Sequence, residues 1–250
     1  MTRSDVAIVI PARYGSSRFE GKVLMAETGK PLLRHVWDQA MRVRGVDRVI
    51  VATDDDRIRA VVEQFGGEVR MTRPDHVNGT SRVAEVAATL EADLIVNLQG
   101  DEPELAPEAI EGTIARLRQH SECGMATLAS PFFEGEDPDD PHLVKVVCDL
   151  VDRALYFSRA RVPADRGPAE ASAPLKHIGL YVYRRAFLLR YVEMAPTPLE
   201  TAESLEQLRV LEHGERIVVH RAAVRWGGID TPREYAAFVI REAERRSVQE

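Results

Sequence analysis

Pro11-Ala12-Arg13-Tyr14-Gly15-Ser16-Ser17-Arg18-Phe19-Glu20-Gly21-Lys22 gathers three cations, two glycines and two serines into twelve residues. Such a loop can surround a polyphosphate, with backbone N–H groups cradling the oxygens while Arg13, Arg18 and Lys22 offset their charge. A solvated basic loop would have the same composition, and the stretch is neither GxxxxGK[ST] nor GxGxxG. Two acidic points complement it. Gln99-Gly100-Asp101-Glu102-Pro103 follows the apolar run Leu94-Ile95-Val96-Asn97-Leu98, and Gly227-Gly228-Ile229-Asp230-Thr231-Pro232 supplies a second aspartate. A carboxylate such as Asp101 would hold Mg²⁺ together with substrate phosphates and water, and Asp230 could be a second ligand. Taken singly, the first also reads as an acidic turn and the second as the N-cap of a last helix. Together with the cationic loop they read as nucleotide-phosphate and Mg²⁺ chemistry, which needs those opposite charges side by side.

Three further groups of residues could recognise the rest of a substrate. His76-Val77-Asn78-Gly79-Thr80-Ser81-Arg82 is a turn entering a helix, able to read a nucleobase through its backbone or to serve as an ordinary turn capped by Thr80. Arg159, in Tyr156-Phe157-Ser158-Arg159, is suited to clamp a carboxylate with two parallel N–H groups. His177, Tyr181, Glu206 and Gln207 are candidates to hydrogen-bond hydroxyls, although each has a structural reading too. His35, His76, His120, His142, His213 and His220 show no HExxH or paired-ligand spacing, which argues against zinc. Ser16 and Ser17 lack a GxSxG context, which argues against a hydrolase triad. Asp54, Asp55 and Asp56 read as a solvated strand-end turn.

The elements that must hold these residues follow from periodicity. Val6-Ala7-Ile8-Val9-Ile10, Val49-Ile50-Val51-Ala52 and residues 94–98 are apolar runs of the kind buried on both faces of a parallel sheet. Helical patterns over residues 31–44, up to Phe65, and from about Thr80 alternate with them. The fold class expected is α/β, a Rossmann-like, mostly parallel twisted sheet with helices on both faces, with a smaller mixed α/β insertion. Strand candidates at 125–128, 144–148, 154–157 and 178–183 make up that insertion; a surface loop is expected at 161–174, a helix at 202–212, a strand at 217–220 and a closing helix after Pro232. Ligands of such sheets bind beyond the carboxyl ends of the strands, where the cationic loop and both aspartates fall.

Composition bounds the rest. The chain has 250 residues, 44% hydrophobic and 29% charged, enough for one full core, and residues 1–250 are read as a single domain. A net charge of −7 disfavours a broad nucleic-acid surface. No apolar window is long enough to span a membrane and no signal-peptide pattern opens the chain, so the cytoplasm is the expected location. Cys123 and Cys148 read as free thiols.

Seven motifs in order resemble the 3-deoxy-manno-octulosonate cytidylyltransferases. They are Ile10-Pro11-Ala12-Arg13-Tyr14-Gly15-Ser16-Ser17-Arg18 with Gly21-Lys22, Ala52-Thr53-Asp54-Asp55, residues 97–103, residues 156–159, His177-Ile178-Gly179, residues 206–211 and Ile229-Asp230-Thr231-Pro232. The resemblance spans about residues 6–240. It implies the nucleotide-diphospho-sugar transferase type of fold and transfer of CMP from CTP to the anomeric hydroxyl of 3-deoxy-manno-octulosonate (Kdo), with release of pyrophosphate, for lipopolysaccharide synthesis. It further implies Arg13, Lys22, Asp101 and Asp230 as catalytic, Asp101 and Asp230 as Mg²⁺ ligands, and Ala12, Arg13, Gly15, Ser16, Arg18, Lys22, Asn78, Gly79, Arg82 and Gln99 on CTP. Gln99, Arg159, His177, Tyr181, Glu206 and Gln207 fall on the sugar-acid contacts. A homodimer is implied, with residues 125–215 carrying the sugar-acid and dimerisation subregion.

The chain departs from the family pattern at Phe19-Glu20, where Leu-Pro is usual, at Val23 in place of proline, at Asn78 in place of serine, at Ser81 in place of an acidic residue, and at Trp226-Gly227-Gly228. The Phe19-Glu20 and Val23 changes are expected to loosen the phosphate loop and add negative charge near CTP. Competing readings are a cytidylyltransferase for 8-amino-Kdo or a nonulosonate, a catalytically silent nucleotide-sugar binding module, and a Rossmann dehydrogenase, the last opposed by the missing GxGxxG.

Overall fold

The computed structural model describes residues 6–15, 19–165 and 173–247. The chain forms two compact units. The first comprises Met1–Ala92, Asn97–Pro107 and Trp226–Glu250, the second Asp93–Val96 and Glu108–Arg225.

In the first unit β1 (Val6–Pro11) is buried at every position, as a run without polar residues demands, and it pairs in parallel with β2 (Arg48–Thr53). β3 (Glu68–Met71) adds a further parallel strand, and β4 (Leu94–Leu98) has Leu94–Val96 in the second unit and Asn97 and Leu98 in the first. Between these strands run α1 (Leu32–Ala40), α2 (Asp56–Gln64) and α3 (Gly79–Ala88). Each helix starts where its sequence permits. Asp55 caps α2 by accepting from the Arg57 N–H, and Asn78 caps α3 by accepting from the Ser81 N–H. The expected Thr80 cap is therefore corrected: Thr80 is buried inside the helix, with its hydroxyl facing Asn97.

The second unit carries the mixed strands. Helix α4 (Pro107–Gln119) leads to β5 (Met125–Pro131), then come β6 (Lys145–Cys148), β7 (Ala154–Ser158) and β8 (Leu175–Arg184). Short helices α5 (Arg185–Tyr191), α6 (Pro198–Glu203) and α7 (Gln207–Glu212) precede β9 (Ile217–Arg221). β5 lies between β8, antiparallel, and β9, parallel, while β6 pairs antiparallel with both β7 and β8. The chain then returns to the first unit as α8 (Pro232–Ser247). Thr231 and Glu234 form a reciprocal cap at its start: the Glu234 N–H donates to the Thr231 hydroxyl, and the Thr231 N–H donates to the Glu234 carboxylate.

The helix expected at 202–212 is two helices. Thr197 and Glu200 form a capping box that starts α6 early, and Ser204 then adopts a left-handed conformation (φ 52°) that ends it, with its N–H on the Glu200 carbonyl. Leu205 and Leu208 are buried, and Leu211 is half-buried. β3 and α5 have no counterpart in the sequence reading. In β3, Glu68 and Arg70 alternate with Val69 and Met71 at a partly exposed edge, so no apolar run marks it. Of the surface loop expected at 161–174, residues 166–172 lie outside the described residues.

Cys123 and Cys148 are free thiols, and burial pushes both up to about 11, which makes them poor nucleophiles at neutral pH. No helix among the described residues is long and apolar enough to cross a membrane. Gly124, just before β5, is a packing requirement: a Cβ there would lie 2.3 Å from the buried Phe187 ring. Gly124→Ala should destabilise the protein by about 1–3 kcal/mol through overpacking. Denaturant midpoints unchanged from the parent would show that Phe187 is free to move.

Candidate active site

The chain leaves β1 at Pro11 and comes back to the sheet end at Lys22. Gly21, left-handed at φ 69°, closes the loop by donating its N–H to the Tyr14 carbonyl at 2.9 Å. The Arg57 guanidinium lies 3.3 Å from the centroid of the Tyr14 ring, and Phe19 meets Tyr235 of α8 edge-on at 5.9 Å. Phe19 also packs on the cluster of Leu32, Ile229, Tyr235 and Phe238, so the departure at this position gives the loop an aromatic anchor. Arg13 and Gly15 are exposed, and Arg13 makes no hydrogen bond or ion pair with the described residues. Ser16, Ser17 and Arg18 lie outside the described residues.

Lys22 is buried, and all three of its ammonium hydrogens have acceptors: Asp101 Oδ2 at 2.6 Å, Asp230 Oδ1 at 2.8 Å and the Ile229 carbonyl at 2.8 Å. Burial alone would lower its pKa; the charge of Asp101 and its hydrogen bond, with those of Asp230, overcome this and raise it. The strand ends reach this point because Gly100 has no side chain. A Cβ there would be 3.0 Å from the Pro11 carbonyl. The Ile229 N–H donates to the Asp101 carbonyl at 2.8 Å and fixes the Asp230 loop beside it. Because Thr231 and Glu234 cap α8, the Asp230 carboxylate is not needed as the helix cap and faces Lys22 instead. Two carboxylates meeting around one cationic nitrogen form a hard-oxygen donor pair that suits Mg²⁺, with phosphate and water completing the shell.

The α3 turn lies against the same strand ends: a Cβ on Gly79 would be 3.3 Å from Pro11 Cγ and 3.4 Å from Gln99 Oε1. Gln99 is oriented by donating to Asn97 Oδ1 at 2.9 Å. Asn78 and Ser81, both departures from the family pattern, preserve the cap, and the Ser81 hydroxyl donates to the Asn78 carbonyl at 3.0 Å. His76 braces the turn between Ser81 and Glu85, at 3.1 Å and 2.5 Å. Arg82 is buried, held by Thr72 and by Asp54 at 3.2 Å, so its guanidinium anchors α3 to the end of β2. The first unit thus brings Ala12, Lys22, Gly79, Gln99, Asp101 and Asp230 together at its strand ends.

The second unit holds the other candidates. Thr127 donates its hydroxyl proton to the Leu180 carbonyl at 2.8 Å, so its oxygen accepts from His177 Nε2 at 2.9 Å. That assigns the proton to Nε2 and leaves Nδ1 as an acceptor. Burial against Phe157 and Tyr181 lowers the imidazole to about 3, so it is neutral at physiological pH. Tyr181 donates to Gln207 Oε1 at 3.3 Å, and burial raises its phenol well above the usual range. Gln207 is 3% exposed, and its Nε2 has no hydrogen-bond partner among the described residues. Glu206, next to it, accepts from the Tyr191 hydroxyl through its backbone carbonyl at 2.9 Å. Arg159 donates through Nε to the Glu203 carbonyl at 2.7 Å and through its terminal nitrogens to Pro141 and Ser204. The Glu203 carboxylate in turn accepts from Ser158 Oγ at 2.7 Å and the Arg159 N–H at 2.8 Å. Glu203 and Thr127, which orient Arg159 and His177, were not found by sequence reasoning. Their partners lie 44 and 50 residues away, with no motif to link them.

A parallel α/β unit with a cationic loop and two convergent carboxylates at its strand ends is an arrangement suited to the nucleotidyltransferase class. The cytidylyltransferase family model matches residues 7–217. A 3-deoxy-manno-octulosonate cytidylyltransferase of Syntrophobacter fumaroxidans is 50% identical over 235 residues, covering 92% of this chain and 94% of the relative. One of Geobacter sulfurreducens is 48% identical over 240 residues, covering 92% and 96%. A solved structure of CMP:2-keto-3-deoxy-manno-octonic acid synthetase complexed with CTP superposes with a TM-score of 0.91 at 43% identity, over 96% of this chain and 99% of that one. The chain belongs to the 3-deoxy-manno-octulosonate cytidylyltransferase family.

The low His177 value has a consequence for stability. The unfolded imidazole takes up a proton below about pH 6.5 while the folded one does not until about 3, so stability present above pH 6.5 is lost as pH falls toward 3. Between pH 7 and pH 5 this amounts to about 2 kcal/mol. His177→Gln should lose that much less than the parent over the same range in denaturant titrations. Parallel pH slopes would show that His177 is not held neutral.

Proposed function

We propose that this enzyme transfers CMP from CTP to the anomeric hydroxyl of Kdo, giving CMP-Kdo and pyrophosphate. The observation that carries the reading is the approach of Asp101 and Asp230 to Lys22 Nζ at 2.6 Å and 2.8 Å, beside the Arg13 loop. Binding alone would not need that concentration of opposite charge at the reacting phosphate. The substrate half of the proposal follows from the relatives at about half identity, whose names specify 3-deoxy-manno-octulosonate, and from the neighbouring structure that holds CTP.

The anomeric hydroxyl oxygen bonds to the α-phosphorus, the bond from that phosphorus to the bridging oxygen of the β-phosphate breaks, and the hydroxyl proton is released. Both substrates are anions, so the enzyme must offset charge and align oxygen, phosphorus and leaving group. Arg13, exposed and without a protein partner among the described residues, takes the triphosphate, with Ser16 and Arg18 of the same loop and with Ala12 and Gly15 through the backbone. Lys22, held protonated by its raised pKa, stabilises charge developing on the α-phosphate. Asn78, Gly79 and Gln99 read the cytosine end through backbone and amide groups, and Arg82 holds their helix in place. Asp101 and Asp230 would hold Mg²⁺, which supplies Lewis-acid charge neutralisation at the phosphates.

On the sugar acid, Arg159 takes the carboxylate. His177 Nδ1 accepts from a hydroxyl, Gln207 Nε2 donates to one, and Tyr181 and Glu206 complete the contacts. The orphaned Gln207 amide is the strongest support, because a buried donor without a partner costs roughly 1–3 kcal/mol until something accepts from it. A CTP-consuming enzyme of this kind works in the cytoplasm. We also propose a homodimer: Leu150, Val151 and Leu155 of the β6–β7 hairpin and Leu199 of α6 are exposed apolar side chains in the second unit.

Pyrophosphate release with CTP and Mg²⁺ should require Kdo and should be much slower with UTP, with CMP-Kdo as the product by mass. Release with 8-amino-Kdo or a nonulosonate and not with Kdo would change the substrate, and none with any acceptor would leave only a binding module. Asp101→Asn should lower turnover by about a hundredfold or more while leaving the circular dichroism spectrum unchanged; parental activity would remove Asp101 from the site. Light scattering should give a dimer mass, and Leu155→Glu should shift it toward a monomer; a monomeric parent would contradict the dimer.

A further inference from the structure

Lys145 in β6 is completely buried, yet no carboxylate of the described residues lies within ion-pair distance of its ammonium. Its nitrogen donates to two backbone carbonyls, those of Asp140 at 2.9 Å and of Arg159. A methionine or leucine would fill this position without the desolvation penalty that a buried ammonium carries. A role beyond packing is therefore indicated, and the two acceptors show which.

Arg159 is held on both sides of the same clamp. Its guanidinium donates to the Pro141 carbonyl at 3.1 Å, one residue from the Asp140 carbonyl that Lys145 holds, while its own backbone carbonyl is the other Lys145 acceptor. The opposite side is fixed by Glu203 and Ser204, whose carbonyls accept from Arg159 Nε at 2.7 Å and from a terminal nitrogen at 3.4 Å. Ser204 presents its carbonyl from a left-handed conformation at φ 52°, a strained backbone of the kind found where geometry serves a site. Three of the five guanidinium N–H donors are thus occupied by main-chain oxygens, and one remains on each terminal nitrogen. Two donors in a fixed plane are what a carboxylate accepts.

The charges agree with this geometry. Burial lowers the Lys145 pKa and the Arg159 charge lowers it further, against Asp140, Asp139 and Glu203, which raise it. Two cations that repel each other across a polar clamp favour the arrival of an anion.

We propose that Lys145 is a positioning residue for the sugar-acid carboxylate, setting the plane of Arg159 by holding the Asp140 and Arg159 carbonyls together. This rests on the assignment of Arg159 to the Kdo carboxylate made above. Lys145 itself does not touch the substrate.

Steady-state kinetics with CTP, Mg²⁺ and Kdo on Lys145→Met, Arg159→Ala and the double variant test it. Lys145→Met should raise KM for Kdo by about tenfold or more, while KM for CTP and kcat stay within about twofold. The double variant should match Arg159→Ala within about twofold, because the lysine acts only through the arginine. Equal losses for CTP and Kdo, or losses that multiply in the double variant, would reduce Lys145 to a structural role. Should Lys145→Met fail to fold, Lys145→Gln, which keeps an N–H donor without the charge, reads the same quantities; a parental KM for Kdo in a folded variant overturns the proposal. If instead Arg159→Ala leaves KM for Kdo unchanged, it is the carboxylate assignment of Arg159 that fails.

Discussion

The Lys22 ammonium is the point through which distant parts of the first unit are held in register. Asp101 lies 79 residues away in sequence and Asp230 lies 208 away, and each places a carboxylate oxygen within 2.8 Å of the same nitrogen. Without that cation the two partly exposed carboxylates would be left close together at the strand ends with nothing to offset their like charges. The loop after β1, the β4 turn and the entry to α8 depend on this contact and on the small residues that allow it, Gly21 for the turn and Gly100 for the approach to Pro11. The same arrangement brings together two carboxylates of the kind that hold Mg²⁺.

The second unit works by a different rule. Its polar side chains are fixed by main-chain atoms and by one another, so they are oriented before any ligand arrives. Thr127 determines which nitrogen of His177 carries the proton, and Glu203 determines where the backbone of Arg159 lies. Preorganisation of this sort leaves specific capacity unfilled: the free nitrogen of His177, the orphaned amide of Gln207 and the two remaining donors of Arg159. These are a hydroxyl donor's acceptor, a hydroxyl acceptor's donor and a carboxylate fork. Their combination matches a polyhydroxylated acid.

Much of this was legible in the sequence. β1 and β2 are built on continuous apolar runs, and Asp101 could be placed at a strand end from the Leu94–Leu98 run alone. The resemblance carried by seven ordered motifs agrees with the family match and with the curated relatives. What stayed hidden was of two kinds. Edge strand β3 and the short helices α5 and α6 are shaped by tertiary contacts and by capping rather than by long periodicity, and the break at Ser204 depends on a left-handed residue that serine does not announce. The partners of Arg82, Arg159 and His177 lie far along the chain, or are backbone carbonyls that no residue type reveals. The caps at Asn78 and Thr231 show the opposite case, because small polar residues at helix starts had a local signature that could have been read more closely.

Whether Asp101 and Asp230 hold the metal is decided by binding of Mn²⁺, as a spectroscopic stand-in for Mg²⁺, followed by electron paramagnetic resonance with CTP present, for the parent chain, Asp101→Asn and Asp230→Asn. The parent should give a CTP-dependent bound-ion signal that is lost or strongly weakened in both variants. Retention of that signal at parental affinity in both would mean that the two carboxylates gathered around Lys22 are not the ligands.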